Sequence, residues 1–168
     1  MTFFLKIPGP PRTKKTSNRL VGFGAPCRVC GRPPYNKVLP SKAHEDWFNQ
    51  SMLFAPLIRR QLEAMGVKLP ITNKIQVRAL FYRQRDDGDL IAYEQALGDY
   101  LQEPKQSTKN PGKLVRNGAG VIADDKQIAS WDGSRLMKDK DNPRIECEIK
   151  TLDEGFQQQE LGLEDDDG

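Results

Sequence analysis

The chain has 168 residues, 37% apolar and 29% charged, with a mean hydropathy of -0.67. That length suits one domain with an aromatic-bearing core, and no apolar run approaches the ~20 residues that would span a membrane. Three Cys make no disulfide framework, and residues 1–6 are interrupted too early for a signal peptide, so a reducing, cytoplasmic setting is expected.

Charge is unevenly spread. Twenty-six Lys and Arg face 23 Asp and Glu, a net of +3, but residues 151–168 hold seven of the acids and no base. Without them, residues 1–150 carry 16 acids against 26 bases, a net of +10. The expected division is therefore a basic body at 1–150 and an acidic, flexible tail at 151–168. A basic body suits a polyanionic partner, nucleic acid first, although a merely solvated surface has the same composition.

Residues 3–7 read as a short first strand that Pro8-Gly9-Pro10-Pro11 ends, since proline removes ladder donors. A basic segment follows, with Lys14, Lys15 and Arg19 as candidate phosphate contacts. Residues 22–40 are rich in Gly, Pro and Cys and read as loop or small hairpin. Within them, Cys27-Arg28-Val29-Cys30-Gly31 has the spacing of a zinc knuckle. Structural zinc takes four ligands, so this is half a site. His44 with an acid such as Glu45, or the same motif of a second subunit, would complete it. A reduced pair in a loop is the plainer expectation.

From Ser41, a natural N-cap, the period turns helical. Trp47 and Phe54 are expected on one face, and Phe48, Met52 and Ala55 on another, with His44 at the surface. Pro56 interrupts or kinks this helix, Ile58, Leu62 and Met65 continue the period, and Gly66 stops it. Residues 75–81 alternate as a half-buried strand leading into Arg85-Asp86-Asp87-Gly88-Asp89. A second helix then carries Leu90, Tyr93, Leu97 and Tyr100 or Leu101 on one face. Residues 103–120 form a long polar loop with Lys105, Lys109, Lys113 and Arg116, expected to be anchored beside the acids and to contact phosphates. Two strands, 127–137 and 144–151, are drawn as a hairpin, with Ile145, Cys147 and Ile149 facing the core. The expected fold is a single compact α+β domain, a mixed, mostly antiparallel sheet covered by two main helices.

The acids carry the sharpest chemical signal. Asp87 and Asp89 end a strand, and Asp124 follows Asp89 by 35 positions. Residues i and i+2 of an extended segment leave one face about 6.6 Å apart, so two carboxylates can converge on one hard cation. A third carboxylate would complete an oxygen-rich Mg²⁺ site. Singly, each has a plainer role: Asp86 and Asp87 in a turn, Asp89 as a helix cap, Asp124 and Asp125 capping a turn before Lys126. Together, in a basic body, they favour a phosphodiester-cleaving metal site.

With these residues in view, the sequence resembles the RusA-type Holliday-junction resolvases, crossover-junction endodeoxyribonucleases of prophages and bacteria. The resemblance covers most of residues 1–150: the strand and Pro-Pro turn at 7–11, the basic 14–19 segment, the helix around Trp47, and the strand at 75–81. Its most specific part is Asp-x-Asp at a strand end, a helix with an acid (here Asp99), then Asp-Asp before Ile128. By that resemblance Asp87, Asp89 and Asp125 match the Mg²⁺ ligands (Mn²⁺ substituting), with Asp86, Asp99 and Asp124 as accessory acids. It implies a homodimer that resolves branched, four-way DNA by paired cleavage. The family pattern has Asn after the second Asp and Lys four residues beyond that Asp, where this chain has Leu90 and Tyr93. Arg85, Lys126 or a loop lysine would then supply the missing charge. The alternative is a junction-binding protein of the same fold that does not cut.

Overall fold

The computed structural model describes residues 1–14, 19–31, 35–86, 88–108, 110, 112 and 114–152, without the side chains of 20–23, 35–37, 115 and 116. The acidic tail beyond 152 lies outside the described residues. In chain order the elements are β1 (Thr2–Pro8), β2 (Arg19–Phe23), β3 (Tyr35–Leu39), α1 (Lys42–Met52), α2 (Ala55–Ala64) and β4 (Ile75–Arg83). Then follow α3 (Leu90–Leu101), β5 (Lys105–Gln106), β6 (Leu114–Arg116), a 3-10 turn (Asp125–Gln127), β7 (Ile128–Ser130), β8 (Arg135–Lys138) and β9 (Arg144–Thr151).

Period-2 alternation becomes a sheet face through register. β9 lies between β1 and β4 and pairs antiparallel with both. That pairing aligns Phe3, Ile149 and Val77 in one row, Leu5, Cys147 and Ala79 in the next, and Ile7, Ile145 and Phe81 in a third. All nine are buried. Because side chains alternate between faces, the same register leaves Phe4, Lys6, Arg78, Glu146 and Glu148 on the opposite, open face. Trp47 of α1, Ile58 and Leu62 of α2, and Tyr93, Leu97, Tyr100 and Leu101 of α3 join the three rows in one core. The result is a single α+β domain of three helices on one face of a five-stranded mixed sheet.

The strands at the C-terminal end depart from expectation. Residues 127–137 hold two short strands, β7 and β8, both parallel to β4 along one of its edges. β8 and β9 form no hairpin, because β9 pairs on the other side of β4. The crossing of α3 after β4 lets the following strands run parallel, which a tight turn cannot do. The connection then passes the end of β4, where Asp139 N donates to Arg83 O at 2.9 Å. Arg144 pins this crossing: its guanidinium donates to Asp139 and Glu146, each at 2.7 Å, and stacks 3.6 Å from the Tyr82 ring centre. Those bonds hold the Asp139 carboxyl below its ordinary range.

Ser41 caps α1 as expected, its Oγ accepting from His44 N at 3.1 Å. The helical segment breaks after Met52, and Pro56 falls in the first turn of α2, where no backbone donor is needed. Phe54 therefore sits at the break, 37% exposed, and does not share the buried face of Trp47. Gly66, at φ +79, follows α2 as its stop. His44 is not a surface residue. It is buried against Trp47 and Phe48, with Nδ1 3.1 Å from Arg12 O, and desolvation holds its pKa below the ordinary imidazole value.

Candidate active site

The acids gather around α3. Asp89 is the N-cap: its carboxylate accepts from Ala92 N at 2.6 Å, which satisfies one of the donors a helix start leaves open. Just before it, Gly88 turns at φ +77 with its α-carbon backed on Tyr93 and Thr13; a Cβ there would lie 3.0 Å from Tyr93 Cε2 and 3.5 Å from Thr13 Cγ2. The segment after β1 and the loop after β4 thus lie side by side. That contact places Lys14 over the helix, and its Nζ reaches Asp99 Oδ2 at 2.5 Å. Asp86 is an exposed turn acid paired with Arg83 at 2.8 Å.

At the other end of α3, Gly98 allows the 3-10 turn to close on the helix. A Cβ at Gly98 would lie 3.7 Å from Asp125 Cβ, 3.6 Å from Ile128 Cδ1 and 3.9 Å from Trp131 Cζ2. Asp124 and Gln127 form a capping box: Lys126 N donates to Asp124 Oδ1 at 3.1 Å, and Asp124 N donates to Gln127 Oε1 at 2.8 Å. Gln127 Nε2 donates onward to Ile71 O and Asn73 O, tying the turn to the approach of β4. Asp125 is exposed and lines a groove of about 480 Å³ together with Ile91, Glu94, Asp99, Ile128 and Trp131. Partial burial raises the Glu94 pKa above its ordinary value.

Some predicted residues meet and others do not. Asp99 and Asp125 line one groove with Glu94, which the sequence reading did not single out. Its signal was available: Glu94 and Gly98, and Gln95 and Asp99, each stand four apart, and an isolated Gly inside a helical period marks a close approach. Asp89 stands nine residues from Gly98, about 13 Å along the helix axis at ~1.5 Å per residue. Asp89 and Asp125 therefore lie toward opposite ends of α3. Asp87 lies outside the described residues. Among the described residues, no group of three or more His, Cys, Asp or Glu side chains forms a metal-holding set.

Of the expected basic contacts, Lys14 flanks the groove through Asp99, and Arg85, Lys105 and Lys126 are exposed. Arg19 is engaged otherwise: it donates to Glu45 at 2.6 Å and to Pro40 O at 3.1 Å, joining β2 to α1. Lys15, Lys109 and Lys113 lie outside the described residues, as does the side chain of Arg116. The 103–120 loop folds partly into a short β5–β6 ladder. Its return is tied to the C-terminus of α3, with Ala119 N donating to Tyr100 O and Val121 N to Leu101 O. Both loop ends therefore lie at the Asp125 end of the helix, away from Asp89.

Cys27 and Cys30 are both exposed, in a turn between β2 and β3, and Cys30 N donates to Cys27 Sγ at 3.5 Å. Backbone donors from Cys30 lower the Cys27 thiol pKa. Cys147 is buried in β9, as its alternation predicts, and burial pushes its thiol pKa up. Compared with protein-family models and with curated proteins, the sequence matches none.

Proposed function

We propose that the chain is a metal-dependent endonuclease of RusA type, acting on branched DNA and four-way junctions as a homodimer. The observation that carries the reading is the acid-lined groove of α3, with Glu94, Asp99 and Asp125 in its lining and Lys14 paired to Asp99, set in a body of net +10. A basic surface around a local carboxylate cluster suits phosphodiester chemistry, since the bases draw the backbone in and the acids suit a hard divalent ion.

The donor set fits Mg²⁺ in kind, being carboxylate oxygen throughout. Asp125 and Asp99 would hold it, with Asp87 as the further ligand that the resemblance implies. A bound ion would polarise a phosphate oxygen and acidify a water. The chain's own residues do the rest. Lys14 has its ammonium against Asp99, where it can exchange that partner for a phosphate oxygen as DNA enters. Glu94, with a raised pKa, is a candidate to take up or return a proton. Tyr93, at the position where the family pattern has Lys, packs on Phe81 with Arg83 5.7 Å from its ring centre, so it supplies no cation to the groove.

The test is cleavage of a synthetic four-way junction by the purified chain with Mg²⁺ or Mn²⁺, compared with Asp125→Asn. Paired nicks lost in the variant support the reading; an intact junction under both metals overturns it. The second reading, junction binding without cutting, draws on the fact that Asp86, Asp89, Asp99 and Asp124 each already have a structural partner. Salt-sensitive junction binding with no cleavage and no Mg²⁺ uptake by calorimetry would select it.

A further inference from the structure

We infer that the Cys27–Cys30 turn is one half of a tetrathiolate zinc site, completed by the same turn of a second copy of this chain. The local geometry is that of a ligand pair. The two thiols are three residues apart, both exposed, and carried on one tight turn. Gly31 N donates to Cys27 O at 2.9 Å, and Gly31 takes φ +65, which lets the backbone reverse directly after Cys30. Both cysteines are exposed, and no atom lies within 4 Å of where a Gly31 Cβ would be, so the end of the turn is uncrowded. The Cys30 N–H directed at Cys27 Sγ favours the thiolate, which is the form that binds metal.

Two sulfurs are not a structural zinc site, which takes four ligands at tetrahedral positions. The supply of further soft donors within one chain is small: one other Cys and a single His. Cys147 is 1% exposed inside β9, locked between β1 and β4. His44 is 3% exposed, with its Nδ1 held at Arg12 O. Neither can reach the turn without unfolding the core. A second copy of the turn supplies what is missing, and its chemistry suits the pairing. Zinc with four thiolates carries a net charge of −2, which one Arg28 from each turn offsets. Val29, between the thiols, is 96% exposed, an apolar tip that the facing turn would cover. This inference is independent of the nuclease reading, since it concerns residues outside the groove.

The test uses the full chain, reduced and loaded with Zn²⁺, with metal content measured per chain and Co²⁺ as a spectroscopic substitute. One zinc per two chains, together with the intense visible absorption of a tetrahedral four-thiolate cobalt centre, is expected. Cys27→Ser with Cys30→Ser should lose both signals, while Cys147→Ala retains them. One zinc per chain, a cobalt spectrum short of four thiolates, or zinc retained by the double variant would overturn it. Should the double variant misfold, stoichiometry and cobalt spectrum of the unaltered chain still decide.

Discussion

Lys14 Nζ stands 2.5 Å from Asp99 Oδ2, although 85 positions separate the two residues. The pair brings the basic segment after β1 onto the acidic face of α3, and so joins the two halves of the proposed site. Its side chains are 49% and 28% exposed, and an ion pair so open to water contributes little to stability. Its value is positional, because it keeps a cation at the rim of a groove lined by carboxylates.

Lys14→Ala should therefore leave the melting midpoint nearly unchanged, within the ~1 kcal/mol that exposed pairs contribute. Junction affinity should fall, and the plot of log K against log salt should shallow by about one released ion. Fluorescence anisotropy across a salt series, beside a thermal melt, measures both.

The loop lysines extend that expectation. Changing Lys105, Lys109 and Lys113 together to Ala should weaken junction binding and flatten the salt slope further. Metal affinity should barely move, since exposed charges are screened beyond roughly 10 Å at ~0.1 M salt. Calorimetry with Mg²⁺ alone separates the two effects.

Asp89 and Asp125 should respond differently to the same substitution. Asp125→Asn removes a carboxylate facing the groove and should slow cleavage roughly 100-fold or more, the size of losing one charge-stabilising group. Asp89→Ala removes the α3 cap and should cost about 1 kcal/mol of stability, whereas Asp89→Asn keeps the cap and restores most of it. Loss of cleavage in Asp89→Asn at unchanged stability would return Asp89 to the ligand set. Denaturation midpoints and single-turnover cleavage rates check this together.

His44 makes stability fall in mild acid. Burial lowers its folded pKa below the unfolded value of about 6.5, so above that pH both states are neutral and the full stability is present. As pH falls below it, the unfolded chain takes up a proton that the folded one resists, and stability declines until the folded pKa is passed. His44→Gln should flatten the melting midpoint between about pH 7 and pH 5. An equal slope in the variant would exclude the mechanism.

Two glycines near the site should separate. At Gly98 an added methyl meets its neighbours at 3.6–3.9 Å, ordinary contact, and Ala gains helix propensity, so Gly98→Ala should be neutral or stabilising by up to about 1 kcal/mol. At Gly118 the same methyl would lie 2.1 Å from Gln102 O and 2.9 Å from Gln102 C, both backbone atoms. Gly118→Ala must shift the chain where it returns to α3, and should cost about 1–3 kcal/mol. Denaturant titrations rank the two variants against the unaltered chain.

Much of the fold is local in origin and could be read from the sequence. The alternation of Phe3, Leu5 and Ile7, of Ile75, Val77, Ala79 and Phe81, and of Ile145, Cys147 and Ile149 depends only on the two-residue period of a strand against one buried face. The Ser41 cap, the Gly66 stop and the Asp89 cap depend on backbone groups within a turn of each residue. What tertiary structure decided is every pairing between distant segments. Whether β9 follows β8 as a hairpin or crosses to the far side of β4 depends on where α3 lies, and no short-range pattern encodes that. Burial of His44 depends on the distant Arg12 segment folding onto α1, where the Arg12 carbonyl meets the imidazole. The acids follow the same rule. Composition could name Asp89, Asp99 and Asp125, but the rise of α3 separates the first from the last, and the close approach at Gly98 sets Asp125 beside Asp99.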